Sequence, residues 1–246
     1  MPPASRRMGP TVHHNQILSR LNGIHADYIG RRAREVSFVH GDIIGKTGQT
    51  IEDVIFPRSG MISLVVDLRT GGRIESAMIG CLGVIGGASL FGADVHTSTA
   101  FAQLPGTGWV LKASDLSELA ERSPEVRRLM FRNEQYLLAQ AQQTAACNAK
   151  HRIPQRLATW IVRAQHASGE NEFLLTQEYL AQMLGVQRAS VSMFAGALQD
   201  KGLIFYRRGR VRIIDRSGLE AEACECHDTL HRQHAHLFGH TADQSA

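Results

Sequence analysis

Long apolar runs are missing from this 246-residue chain. No stretch approaches the ~18 consecutive apolar residues of a membrane-spanning helix. The first residues, MPPASRRMGPTVHHNQIL, carry Arg6 and Arg7 but no apolar segment behind them, so they are not expected to act as a signal peptide. Cysteine is scarce. Cys81, Cys147, Cys224 and Cys226 are too few for a disulfide framework in a chain this long, and a reducing cytoplasm is the expected setting. Extreme charge is also absent: the net charge is +4 and the pI is near 9.1, which permits nucleic-acid binding without requiring it. There is no phosphate-binding Gly-Lys-Ser/Thr loop, no zinc-protease signature and no Gly-x-Ser-x-Gly elbow, and nothing else points to catalysis.

What is present is enough for two domains, with 43% hydrophobic residues. The most informative stretch is Thr176 to Leu198, TQEYLAQMLGVQRASVSMFAGAL. Thr176 is suited to cap a helix, and Glu178 puts a carboxylate in its first turn. Leu180, Met183 and Leu184 make an apolar face, and Gly185 stands where the helix must stop. Val186 follows as an apolar plug. Gln187, Arg188 and Ser190 open a second helix with a buried stripe of Val191, Phe194 and Leu198. Ala181 is small where the two helices cross. This is the pattern of a helix-turn-helix.

Behind it, the sequence predicts a two-stranded wing. Ile204 to Arg207 forms one strand, Arg208-Gly209-Arg210 the turn, and Val211 to Ile214 the return. Arg207, Arg208, Arg210 and Arg212 make the hairpin basic, as contact with phosphates requires.

Upstream, residues to about Ser19 read as a loose arm, followed by short helices through Arg32. From Glu35 the texture becomes short strands punctuated by glycine: Val36–Val39, Val54–Phe56, Met61–Val66, Ile74–Ile79, Ser98–Leu104 and Gly108–Leu111. These predict an antiparallel β sandwich or roll. Ser123-Pro124-Glu125 then starts a long helix that meets no Gly or Pro up to about Asn148. Val126, Met130, Asn133 and Leu137 recur at alternating four- and three-residue steps, continuing through Gln140, Thr144 and Cys147. That spacing is expected to form a coiled-coil-like dimer seam. Lys150 to Pro154 is the expected hinge, with Leu157, Trp160 and Ile161 facing inward beyond it.

This order resembles the Crp/Fnr family of bacterial transcription regulators over roughly residues 25 to 220. The resemblance is strongest in LTQEYLAQMLGVQRASVS and, in the roll, in MIGCLGVIGGASLFG. It implies an α+β fold: an N-terminal antiparallel, jelly-roll-like β roll, a long dimerisation helix and a C-terminal winged helix-turn-helix. The corresponding divisions are 1–30 (arm and short helices), 31–121 (cyclic-nucleotide-binding-like roll), 122–150 (dimerisation helix and hinge) and 151–246 (winged helix-turn-helix with tail). It implies a cytoplasmic homodimer on double-stranded DNA, with RNA polymerase as a further partner. Thr176, Gln187, Arg188, Ser190, Ser192, Arg207, Arg208 and Arg210 are the expected DNA-binding residues. Arg188 matches a family position that commonly reads guanine. Where many relatives have Glu, this chain has Ala189, so its operator is expected to differ.

The family's cyclic-AMP pocket corresponds to Gly86, Gly87, Ser89, Thr97 and Ser98. Members that bind cyclic AMP carry a Gly-Glu-Leu stretch and an Arg-Ser or Arg-Thr pair there. This chain has Gly86-Gly87-Ala88 and Thr97-Ser98, so neither the ribose-binding carboxylate nor the phosphate-binding guanidinium is present, and the effector is expected to be something other than cyclic AMP. The iron-sulfur relatives use several N-terminal cysteines, whereas none precedes Cys81 here. No cofactor and no metal ligand set is assigned. A rival reading rests on the tail, Cys224-Glu225-Cys226-His227 with His231, His234, His236 and His240: a metal or redox sensor using zinc- or copper-type ligands. On one continuous helix the two thiols point roughly 200° apart and cannot share a tetrahedral ion. A second rival is a ligand-binding module whose winged helix touches a protein.

Overall fold

The computed structural model describes residues 15–239, so Arg6, Arg7 and His240 lie outside the described residues. The first elements are α1 (Gln16–Ser19), α2 (Gly23–Arg32), β1 (Arg34–Phe38), β2 (Ile43–Gly45), β3 (Asp53–Pro57), β4 (Met61–Asp67) and β5 (Arg73–Ile79). A 3-10 turn at Gly87–Phe91 leads to β6 (Thr99–Leu104), β7 (Gly106–Lys112), α3 (Ala113–Arg122), α4 (Pro124–Lys150) and α5 (Ile153–Ser168). The rest comprises β8 (Glu172–Leu174), α6 (Gln177–Leu184), α7 (Arg188–Asp200), β9 (Ile204–Arg207), β10 (Arg210–Ile213), α8 (Arg216–Glu222) and α9 (Cys226–Phe238). These elements fall into two units. One holds the residues up to Val65 with Met78–Glu134 and Ala167–Gly169. The other holds Val66–Ala77, Gln135–His166 and the chain from Glu170 onward.

The first unit is the antiparallel roll. One sheet has the order β1-β7-β3 and the other holds β2-β6-β4. Phe56, Ile62, Met61 and Leu111 lie fully buried in it, and the six residues of β6 are all buried. Gly60 has φ 76°, and a Cβ there would meet the Pro105 carbonyl oxygen at 2.5 Å, so the turn before β4 needs glycine. The six strands expected from sequence are present with ends shifted by a residue or two; β2 and α3 had not been anticipated.

Two expectations are corrected. The segment at Asn15–Ser19 is anchored, not loose. Asn15 is buried, donates from Nδ2 to the carbonyls of Pro57 (2.9 Å) and Gly83 (2.8 Å), and caps α1 through Oδ1; Ile17 and Leu18 are fully buried behind it. The second correction concerns α4. Val126, Met130 and Asn133 are each 1% exposed within the single chain. Asn133 accepts from the Val84 N–H and donates to the Val84 carbonyl, both at 3.0 Å. These seam residues are spent on their own unit, because three–four spacing describes a buried helix face without saying what covers it. Leu137 is half-buried, while Phe131 (52%) and Leu138 (59%) are the exposed apolar residues of the helix.

The second unit holds the helix-turn-helix and its wing. The wing is three-stranded, in the order β8-β10-β9, rather than two-stranded. β8 joins through Val211↔Phe173, and β10 pairs with β9 through Ile213↔Ile204 and Arg210↔Arg207. Leu157, Trp160 and Ile161 of α5 are buried, as expected, and Trp160 Nε1 donates to Glu75 Oε1 at 3.0 Å. The chain after the wing breaks at Ala223–Glu225, between α8 and α9. Among the described residues, no helix is long and apolar enough to cross a membrane.

Candidate functional site

The helix-turn-helix is set by local rules. The Thr176 hydroxyl accepts the Tyr179 N–H and caps α6, a contact worth about 1 kcal/mol in such positions. Gly185 has φ 63°, and the Val186 N–H reaches back to the Ala181 carbonyl at 2.9 Å, closing a glycine-terminated helix end. Ala181 and Leu184 are buried, and Val186 is half-buried rather than a sealed plug. α7 buries Val191, Ala195 and Leu198; Phe194 is only half-buried, so Ala195 takes part of the role expected of it.

The opposite face of α7 is open. Gln187 occupies the cap position with no side-chain capping bond, and Arg188 is exposed in the first turn. Ser190 and Ser192 are half-buried, and the Ser192 hydroxyl donates to Gln177 Oε1 of α6. The wing turn is Arg208-Gly209, with φ 50° and 73°. Two left-handed residues make the mirror-image turn that fits the twist of a tight hairpin, and they push the Arg208 side chain out at the tip. Thr176, Gln177, Glu178, Arg188, Tyr206, Arg208 and Gly209 line one groove. Arg207, Arg208, Arg210 and Arg212 line another with Phe205 and Glu172. Among the described residues Arg188, Arg207 and Arg208 form no ion pair, Arg210 meets Glu172 at 3.5 Å, and Arg212 lies over Phe205. Burial pushes the Tyr206 phenol up to about 12, opposed by the nearby Arg188, so it stays a neutral donor to the Leu175 carbonyl at 2.7 Å. Sequence reasoning missed Gln177 and Tyr206, which position the groove, because their partners are remote in the chain.

The residues matched to the effector pocket lie around the 3-10 turn and the segment before β6. Gly86 has φ 84°, Ser89 Oγ donates to the Gly86 carbonyl at 2.8 Å, Thr97 is exposed and Ser98 is half-buried. A methyl group added at Gly87 would lie 2.9 Å from Glu134 Oε1. Burial raises the pKa of that carboxyl, and the Asn133 amide at 3.0 Å partly offsets it.

A third group belongs to the second unit. Cys147 and His151 at the end of α4 face Cys224 and Cys226 at the α8–α9 break, with their ligand-type atoms all within 4.8 Å of one another. Cys147 Sγ and Cys224 Sγ are 3.6 Å apart, and Cys226 Sγ is 3.5 Å from His151 Nδ1. The hydrogen bond from Cys147 draws the Cys224 thiol down to about 5, and the same contact raises the Cys147 thiol. Cys224, His227 and His231, three and four residues apart in the tail, do not form a common ligand face. His227 instead bonds the Cys224 carbonyl at 2.8 Å, and His231 packs on His166 with ring centres 5.5 Å apart. The i, i+4 spacing of Cys147 and His151 was visible in the sequence but pointed to no partner there.

Residues 35–123 match the family profile of the cyclic nucleotide-binding domain, and residues 155–222 match that of the Crp-like helix-turn-helix domain. Comparison with curated proteins finds no match. Among solved structures, FixK2 from Bradyrhizobium japonicum is similar at 19% identity with a TM-score of 0.67, over 78% of this chain and 98% of that one. A protein described as a Crp/Fnr-family regulator from Eubacterium rectale gives 17% and 0.65, over 90% and 100%. A CRP-family regulator from Thermus thermophilus gives 20% and 0.63, over 76% and 96%. At these identities the likeness is one of fold.

Proposed function

We propose, from the premise that this chain belongs to the Crp/Fnr family of transcription regulators, that it binds a two-fold DNA operator as a homodimer in the cytoplasm. The observation that carries the reading is the groove where Arg188 of α7, the Thr176 cap and Arg208 of the wing turn converge; Glu178 also lines it, but among the described residues neither arginine forms an ion pair. A recognition helix enters the major groove by its N-terminal end. Arg188 then reaches guanine O6 and N7, a pairing worth roughly 1–3 kcal/mol of discrimination. Gln187, Ser190 and Ser192 share the approach, and Arg207, Arg208 and Arg210 hold phosphates. RNA polymerase is the further partner that this role implies.

The proposed functional divisions are an arm with short helices at 1–30, the roll at 31–121, the long helix and hinge at 122–150, and the DNA-binding region with its tail at 151–246. We move the dimer seam to the exposed apolar residues of α4, Phe131 and Leu138. They stand seven residues apart, and a second copy of the chain is the occupant that matches a two-fold operator.

The effector is not cyclic AMP in this reading. Beyond the missing ionic pair at Gly87 and Thr97, the buried Glu134 carboxylate lies against Gly87, where a cyclic phosphate would meet a group of its own sign when ionised. The test is selection of bound DNA from a random pool, followed by titration with cyclic AMP and cyclic GMP. A symmetric selected site with affinity indifferent to both nucleotides is expected. Recovery of no preferred sequence removes the DNA-reading role, and saturable nucleotide binding that tightens the complex overturns the pocket reading.

A further inference from the structure

Buried cysteines often act as small apolar side chains, and Cys147, Cys224 and Cys226 do form a buried cluster. Their surroundings are not those of apolar packing. The Gln143 Nε2–H donates to Cys226 Sγ at 3.1 Å. Thr159 Oγ1 lies 3.0 Å from Cys224 Sγ and accepts the Cys224 backbone N–H at 3.0 Å, so its own hydrogen is free to point at the sulfur. His151 faces the thiols with Nδ1, while its Nε2 meets Glu225 Oε1 at 3.2 Å. That carboxylate fixes the proton on Nε2 and leaves the Nδ1 lone pair aimed at the cluster, as carboxylate–histidine–metal arrangements do.

We infer that Cys147, His151, Cys224 and Cys226 form a tetrahedral binding site for one zinc ion per chain. Zinc–sulfur bonds of about 2.3 Å and zinc–nitrogen bonds of about 2.0 Å give tetrahedron edges of about 3.8 Å between sulfurs and about 3.5 Å between sulfur and nitrogen. The observed 3.6 Å between Cys147 and Cys224 and 3.5 Å between Cys226 and His151 are edges of that size. The remaining pairs, none beyond 4.8 Å, close by about an ångström or less around the ion. The thiols give up their protons to solvent as the bonds form, and the imidazole binds neutral.

Backbone geometry makes the site feasible. Cys147 and His151 are one helical turn apart, joined by the His151 N–H to Cys147 carbonyl bond at 3.0 Å. The chain is non-helical at Cys224 and helical from Cys226, which removes the 200° divergence that a continuous helix would impose. Three thiolates and one imidazole select zinc over magnesium or calcium, and four protein ligands leave no open position for chemistry. The ion would tie the end of α4 to the segment after α8. Arg156, whose guanidinium donates to the Leu184 carbonyl at the end of α6, lies beside the thiols and offsets the net negative charge of a zinc trithiolate. This inference is independent of the DNA-binding reading, because the ion is measured without DNA.

The full-length protein, isolated under reductant, is assayed for metal by mass spectrometry, and cobalt is then exchanged into it. One zinc per chain and the intense visible bands of tetrahedral cobalt–thiolate are expected. Cys226→Ser and His151→Ala should abolish both, Glu225→Gln should weaken zinc affinity roughly 10- to 100-fold, and Cys81→Ser should keep one equivalent. Circular dichroism checks that each variant folds, and Glu225→Gln serves as the mild change if the ligand variants do not. Reduced protein that holds no zinc against a competing chelator overturns the site. So does a Cys147–Cys224 disulfide in place of metal, or an equal loss in Cys81→Ser.

Discussion

The two three-stranded antiparallel sheets of this protein treat positive charge in opposite ways. In the roll sheet, Lys112 Nζ meets Asp53 at 3.0 Å, Arg58 meets Glu35 at 2.9 Å and Arg34 meets Asp53 at 3.8 Å. In the wing sheet and its turn there are four arginines and one carboxylate, Glu172, which meets only Arg210. Exposed ion pairs add little stability, so the pairing in the roll matters mostly as neutralisation. The wing keeps its field open, which is what attraction of an external polyanion requires. A third treatment occurs inside the second unit, where His166 sits beside His231 and Arg216. Burial, reinforced by the neighbouring His231 and Arg216, lowers its pKa to about 4, so it is held neutral.

The largest expected effect comes from taking away the second copy of the open sheet. Phe131→Asp with Leu138→Asp places like charges across the proposed seam. Sedimentation should show monomer, and operator affinity should fall more than ~100-fold, since each half-site then binds alone. A persistent dimer would return the seam to another face of α4.

His166 tests the third treatment. It is neutral in the folded chain down to about pH 4, while the unfolded chain binds its proton near 6.5. Stability from this group is therefore complete above pH 6.5 and lost as the pH falls toward 4, by about 3 kcal/mol. Denaturant titrations of the protein and of His166→Gln should show that the slope in this window flattens in the variant. Equal slopes would mean that His166 accepts its proton without cost.

The smallest effect belongs to the neutralised sheet. Arg58 pairs with Glu35 and lies over Trp109. Arg58→Ala should cost about 1 kcal/mol of stability and leave DNA affinity unchanged. A loss of DNA affinity as large as that from Arg207→Ala would dissolve the contrast between the sheets.

The DNA-reading end was legible because its boundaries follow nearest-neighbour rules. Thr176, Gly185 and Arg208-Gly209 each declare a cap, a stop or a turn within a few residues. α3 was hidden because the residue at its N-cap, Lys112, makes no side-chain capping bond. β8, three residues long, carries too little alternation to register. The α4 face was found, but its partner was misassigned; that depended on Asn133 meeting Val84, 49 residues away. The thiol cluster was half visible. Cys224 and Cys226 stand out in the sequence, but a straight helix would point them apart, and Cys147, 77 residues before Cys224, arrives only through folding.

In the proposed binding mode the open arginines divide the work, Arg188 reading a base and the wing holding phosphates. The most direct measurement is affinity for the selected site and for random DNA across a salt series, with Arg188→Ala and Arg208→Ala. Arg188→Ala should lose roughly 1–3 kcal/mol on the selected site and relax the preference at one base pair. Arg208→Ala should weaken both DNAs alike and lower the salt slope by about one unit. Equal weakening of both DNAs by Arg188→Ala, with a changed base preference in Arg208→Ala, would contradict the account.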